Sequence, residues 1–405
     1  MKLGHCQQKN RLTRSDRFDY YYVFVRPLGN ESLRIVLLRE IPEESSLLRC
    51  WNELVLQMER PEVFYTPEWA LAIQSAFESA FKPPPQPLLL LGYEGDELVG
   101  VVCLSVDPGE QSVSFLAGNT ADYCEFLSQP RRRAEFVGAV FAQLRQLKVE
   151  NLVLANLPAD SATSDALRNA AKKYGFHVYV RPAYLCPRVE LGSAAQRQAL
   201  QAMVTRKRQL RKCLRGLEKK GKVTTTYLRT WPQIRAALPG FVDAHVARFQ
   251  ALQCVSILCA PERRFLLEEL ARRFADTGVV TLTQLMVGER PVAWSYGFRF
   301  HESWFLYQTS FDIACEDDSP GYCLLGEILL EACETNAVRL VDLGLGSEEY
   351  KRWFANGSRE TLHATLTTSA VRHFGEIARY RVANEVRNVP KLDRAIRTAR
   401  TRLGL

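Results

Sequence analysis

The chain has eleven cysteines but no Cys-x-x-Cys pair, and six histidines, none spaced from a cysteine as a metal site needs. Cys254 and Cys259 alone lie close together, with no histidine to complete a ligand set, so no metal is expected. The odd, scattered cysteine count excludes a complete disulfide framework and fits a reduced, cytoplasmic thiol population. No apolar run approaches the roughly 20 residues of a bilayer span, and Pro83 to Leu91 falls far short. The polar, basic amino-terminal segment lacks the apolar stretch of a secretory signal. Finally, the basic run from Arg206 to Lys222 has no aromatic residues between its charges, as a stacking platform for nucleic acid would need.

What is present is ordinary globular composition: 405 residues, 47% hydrophobic and 24% charged, long enough for two or three cores. The net charge of +8 is uneven, concentrated in that basic run and in the arginine-rich tail from Arg372 to Arg402. Such runs either meet phosphate or are solvated helix faces. Residues 1–32 show no periodicity beyond the cluster Tyr20, Tyr21 and Tyr22, and read as a loosely attached arm.

Residues 33–190 then read as a first domain. A strand from Arg34 leads to a helix with Leu48, Trp51, Leu54 and Val55 on one face, and Thr66 caps a second helix that opens on Pro67. Strands Leu88 to Tyr93 and Leu98 to Val106 flank a Glu-Gly-Asp-Glu hairpin, a strand from Ser112 to Leu116 follows, and a helix from Arg132 to Leu147 precedes a strand from Asn151 to Ala155. A second domain, 191–370, repeats the pattern. Tyr93–Gly100 matches Val287–Ala293, and Leu152–Leu154 matches Leu340–Asp342, at nearly equal offsets. Between them, Ala194 to Lys220 reads as one amphipathic helix whose basic face carries Arg208 and Arg211. A tail, 371–405, offers Phe374, Ile377, Tyr380 and Val386 either to cover the second domain or to hold a homodimer together.

The most informative stretch runs from Trp304 to Phe354: a buried strand, an acidic loop from Asp312, a helix opening at Ser319-Pro320-Gly321, a strand from Arg339 to Leu345 and a short helix from Ser347. Serine, proline and glycine suit N-cap, first turn and close backbone approach, and a helix N-terminus attracts anions. These motifs, with Tyr307-Gln308-Thr309-Ser310-Phe311, Tyr322-Cys323-Leu324, Asp342-Leu343-Gly344 and Tyr350-Lys351-Arg352-Trp353-Phe354, resemble the GNAT acyltransferase superfamily. More narrowly the chain is similar to the CelD/BcsL-type proteins linked to cellulose biosynthesis, relatives of the FemAB peptidyltransferases. Pro61-Glu62-Val63-Phe64 and the element from His245 to Phe249 belong to the same resemblance. The Q/R-x-x-G-x-G/A loop of ordinary GNAT enzymes is absent.

The resemblance implies an α/β (α+β) fold of two tandem GNAT-like domains with mixed central sheets, and acyl transfer from an acyl-CoA to an amine on a small molecule or glycan precursor. An aminoacyl-tRNA-dependent transferase and a non-catalytic accessory protein of exopolysaccharide assembly are the alternatives. Such transfer needs no enzyme nucleophile, only a neutral amine, a polarised carbonyl and a proton for the leaving thiolate. Tyr350 is the candidate acid or else a packing aromatic, and Asp312, Asp342 and His245 are the candidate bases. Backbone amides from Gly321 through Tyr322 and Cys323 to Leu324, beside Ser319, would take pyrophosphate, with Lys351 on a phosphate. Arg248, Arg208, Arg211 and Gln308 are the candidate acceptor contacts.

Overall fold

The computed structural model describes residues 33–80, 86–107, 111–346 and 348–387. The expected arm 1–32, with its tyrosine cluster, and the end of the tail lie outside these residues. The first part of the chain forms β1 (Leu33–Leu38), α1 (Ser45–Leu56), α2 (Pro67–Ala80), β2 (Gln86–Glu94), β3 (Glu97–Val106), β4 (Ser112–Phe115), β5 (Leu127–Ser128), α3 (Arg133–Gln146), β6 (Asn151–Pro158), α4 (Thr163–Tyr174) and β7 (His177–Glu190). The second forms α5 (Ala194–Arg206), α6 (Arg208–Glu218), β8 (Val223–Leu228), α7 (Trp231–Ala251), α8 (Pro261–Phe274), β9 (Val280–Val287), β10 (Arg290–Phe300), β11 (Ser303–Phe311), α9 (Pro320–Glu334), β12 (Leu340–Asp342), α10 (Glu349–Arg352), β13 (Gly357–Thr367) and α11 (Ala370–Arg387).

All strands join one mixed sheet in the order β1-β2-β3-β4-β6-β13-β7-β12-β11-β10-β9-β8, with β5 paired to β3. The order is nearly palindromic: β1 to β4 and β6 on one side mirror β8 to β12 on the other. The repeat expected from the sequence is therefore a repeat of topology. At the centre the halves exchange strands. β13, from the second half, pairs antiparallel with β6 of the first, and β7, from the first half, pairs antiparallel with β12 of the second.

β7 runs for 14 residues and carries Pro182 and Pro187 within it. Pro182 sits beside a register shift opposite β13, where a missing N–H costs little. The single helix expected over Ala194 to Lys220 is broken at Lys207, whose extended backbone (φ −66°, ψ 108°) separates α5 from α6. This lets both pieces wrap α9, which is buried from Pro320 to Ala332 between them and the sheet. On the opposite face α7 and α8 pack on Trp294, Tyr296 and Phe298 and merge with the first half's core.

A network of buried charges crosses the exchanged strands. Arg188 on β7 donates from Nε to Asp342 Oδ2 at 2.8 Å, and Arg359 on β13 donates from Nη1 to Glu62 Oε1 at 2.8 Å. Both guanidinium groups lie over the Tyr123 ring, at 5.5 and 4.7 Å. Among the described residues no helix is long and apolar enough to cross a membrane.

Candidate active site

β11 and β12 run parallel for three register pairs only, Ser303 with Leu340 to Phe305 with Asp342. The strand expected over Arg339 to Leu345 stops at Asp342, because the chain turns from β11 toward β7. The Leu343 N–H donates to Pro187 O at 3.1 Å, and Gly344 and Gly346 adopt left-handed backbone, φ 74° and 100°. Past Phe305, β11 therefore keeps a free edge facing a cavity of about 620 Å³. The corresponding gap between β4 and β6 is laced shut: Cys124 N–H donates to Asn156 O at 3.0 Å, Asn156 Nδ2 donates to Ala121 O at 2.8 Å, and Tyr123 and Phe126 are fully buried.

The cavity passes through the splayed sheet and has two faces. β10 and β11 pair with an irregularity at Tyr296/Gly297, which puts Ser310 opposite Trp294 on the α7 side and Thr309 opposite Ser295 on the other. Four of the residues around it carry a buried polar atom with no partner among the described residues, each covered by neighbouring atoms: Trp294 Nε1, Ser295 Oγ, Ser310 Oγ and Tyr322 Oη. Orphaned polar atoms are costly unless something else meets them. Clustered on one cavity, they fit a ligand carrying several amide or hydroxyl groups.

Of the residues singled out by sequence, the structure brings Tyr350, His245, Arg248, Gln308, Ser319, Gly321, Tyr322, Leu324 and Lys351 to this cavity. Burial pushes the Tyr350 phenol up to about 12, with Glu348 adding to it and Arg248 and Thr309 opposing, so it holds its proton at neutral pH. His245 is 2% exposed, its Nδ1 lies 2.8 Å from Ser256 Oγ, and its ring stacks on Phe249. Burial, then Arg248, pushes it down to about 4, against Gln308, so it is a neutral imidazole. Arg248 reaches over the Phe311 ring at 4.9 Å and donates to Thr309 O at 3.4 Å.

Other expectations are corrected. Asp342 is buried and fully engaged: it accepts from Arg188, from Tyr123 Oη at 2.8 Å and from Gly344 N at 2.9 Å, so it braces the sheet. Asp312 caps a 3-10 turn over Ile313–Asp318 through Ala314 N at 3.0 Å, and it pairs with Arg290 away from the cavity. Arg208 and Arg211 are exposed on α6 and line no part of the cavity. Lys351, 6% exposed, spends its ammonium on Leu345 O and Glu348, at 2.8 and 2.9 Å.

Ser319 is no side-chain cap. It adopts left-handed backbone (φ 45°), and its carbonyl accepts from Tyr322 N–H at 3.0 Å and Cys323 N–H at 3.2 Å. Those two amides are thus unavailable to an anion. The Cys323 side chain is fully buried and turned to Asp318 O at 3.8 Å.

Sequence reasoning missed two contributors. Trp353, 41% exposed, stands at the cavity rim with Lys207 Nζ 5.2 Å from its ring centre. Asp122, from the first half, lines the cavity and accepts from Leu345 N–H at 2.9 Å. Burial pushes its carboxyl up to about 7, Leu345 and Lys351 opposing and Asp342 reinforcing. No local pattern marks Asp122, because it acts on residues more than two hundred positions away. Among the described residues no group of three or more His, Cys, Asp or Glu could hold a metal ion.

Residues 204–352 match the family described as acetyltransferase (GNAT) domain. That span holds most of the cavity but neither Asp122 nor β13. No curated protein matches the chain. Among solved structures, FemX is similar at TM-score 0.53 and 10% identity, covering 77% of this chain and 95% of its own. The C-terminal domain of a putative lysylphosphatidylglycerol synthetase from Agrobacterium fabrum is similar at TM-score 0.51 and 9% identity, covering 82% and 95%. At these identities the likeness is one of fold.

Proposed function

We propose that this GNAT-type acyltransferase takes its acyl group from an acyl-CoA thioester and passes it to an amine, with the thioester arm lying in the gap between β11 and β12. The observation that carries the reading is the free edge of β11 beside four unpartnered buried polar atoms. An extended, amide-bearing arm can pair with that edge as an added strand would. Its remaining polar groups then meet Ser295 and Tyr322 on one face and Trp294 and Ser310 on the other. Trp353 and Lys207 at the rim suit a flat base and a phosphate.

In the transfer, the amine nitrogen forms a bond to the thioester carbonyl carbon, the C–S bond breaks, and the departing thiolate takes a proton from Tyr350. A phenol held near 12 stays protonated at neutral pH; being a weaker acid than a thiol, whose ordinary value is about 8.5, it passes its proton to the thiolate only as it regains one from the solvent side. His245, neutral and fixed by Ser256, orients the amine side. The resemblance to CelD-type proteins supports a glycan-precursor acceptor.

Calorimetric titration with acetyl-CoA, free CoA and aminoacyl-tRNA tests the donor. CoA and acetyl-CoA should bind, and Ser295→Ala should weaken both about fivefold by removing a hydroxyl that the arm meets, without lowering thermal stability. Binding of aminoacyl-tRNA alone would replace the donor, and no binding of any would leave only an accessory role.

A further inference from the structure

The donor cavity adjoins a larger one of about 1070 Å³, and Asp122, Tyr307, Gln308 and Leu345 line both. Apart from those four residues, most of the walls of this second cavity come from parts the donor site does not use: residues 118–121, the exchanged strands β7 and β13, and α11, which packs along them. Its lining has two characters. One is aromatic: Tyr179 on β7 and Tyr380 on α11 meet at 6.0 Å, with Tyr184 nearby.

The other is cationic. Arg181 lies 4.7 Å over the Tyr380 ring and donates to Pro182 O at 3.3 Å, and Arg263 on α8 donates to Asn119 O at 2.7 Å. Both guanidinium groups thus turn to backbone carbonyls rather than carboxylates, and their charge stays uncompensated. Asp122 forms no ion pair with either, being held by Leu345 N–H, and two further titratable groups do not cancel the charge. Glu376 is engaged by Arg379 at 2.6 Å, and burial, then Arg181, pushes His363 down to about 4, leaving it neutral.

We propose that this second cavity is the acceptor site and takes an anionic, ring-bearing primary amine, held by Arg181, Arg263 and the tyrosines, with Asp122 at the junction receiving the amine's proton. The inference rests on the donor reading above. Asp122 is well placed to receive it, being the carboxylate that lines both cavities, with one of its oxygens fixed by Leu345 N–H. Its carboxylate takes one proton from the ammonium, the freed nitrogen pair attacks the thioester carbon, and the amide forms as the C–S bond breaks. The thiolate is protonated by Tyr350, which recovers a proton from the amide nitrogen through solvent.

Glucosamine 6-phosphate, glucosamine and inorganic phosphate, titrated into the full chain with CoA present, test the site. Glucosamine 6-phosphate should bind at least about tenfold tighter than glucosamine, and Arg181→Gln or Arg263→Gln should erase that preference with CoA affinity unchanged. With acetyl-CoA as donor, kcat/KM should rise through a pH of about 7, and Asp122→Asn should flatten that limb. Equal binding of the two sugars, or both arginine variants behaving as wild type, overturns the acceptor assignment while CoA binding keeps the donor reading. Absence of CoA binding overturns both.

Discussion

At the scale of single residues, the site depends on groups whose protonation the fold has shifted. Asp122 has a folded pKa of about 7 against 3.8 for a free side chain. The folded state therefore holds a proton that the unfolded chain gives up, and the cost of keeping Asp122 ionised grows as pH rises from about 4 to about 7. Asp122→Asn should accordingly raise the melting temperature relative to wild type at pH 8 and lose that advantage near pH 4, which scanning fluorimetry across the range would check. His245 runs the opposite way: lowered from 6.5 to about 4, it costs stability as pH falls through that interval, since the unfolded chain takes the proton first. For Tyr350→Phe, kcat should fall roughly 100-fold with little change in CoA affinity. Unchanged kcat would return Tyr350 to the packing role that its sequence left open.

At the scale of elements, the β10–β11 irregularity and the crossing strands do the positioning. Gly297 sits at the irregularity, and a Cβ there would stand 2.4 Å from Phe305 O. Gly297→Ala should force the two strands apart, lower stability and weaken CoA binding together, unlike Ser295→Ala, which should weaken binding alone. Arg188 on β7 holds Asp342 where β12 ends. Arg188→Met removes one partner of a buried pair and leaves that charge uncompensated, so unfolding in urea should show a loss of ~3–5 kcal/mol. The sequence leaves helix α11 either to cover the second domain or to mediate association. Along its inner side it packs on β7 and β13, whereas Val371, Phe374 and Val382 remain exposed at 85%, 67% and 64%. Stopping the chain after Ser369 should open the second cavity and cost acceptor selectivity more than CoA binding.

At the scale of the whole molecule, exchange of β7 and β13 makes the two halves one folding unit. Residues 33–190 alone would leave β6 and β7 without the β13 that joins them, and residues 191–387 alone would leave β12 without β7. Neither fragment should fold when expressed separately, whereas co-expression should give a soluble complex; cooperative melting of either half alone would contradict this. Such interdependence could not be read along the chain, since strand pairing across halves leaves no local periodicity and the prolines of β7 argue against a strand. The sequence by itself determined the alternation of strands and helices, the repeat, the helix opening at Pro320 and the clustering of Tyr350, Gln308 and His245 in motifs, because each depends on apolar spacing and turn chemistry within a few residues. Tertiary structure decided the rest: that the gap opens in one half and is laced shut in the other, that Asp342 is locked on Arg188, and that Asp122 reaches the site. Those outcomes turn on which buried polar groups find partners across the sheet, and partners so distant in sequence are set only when the chain has closed.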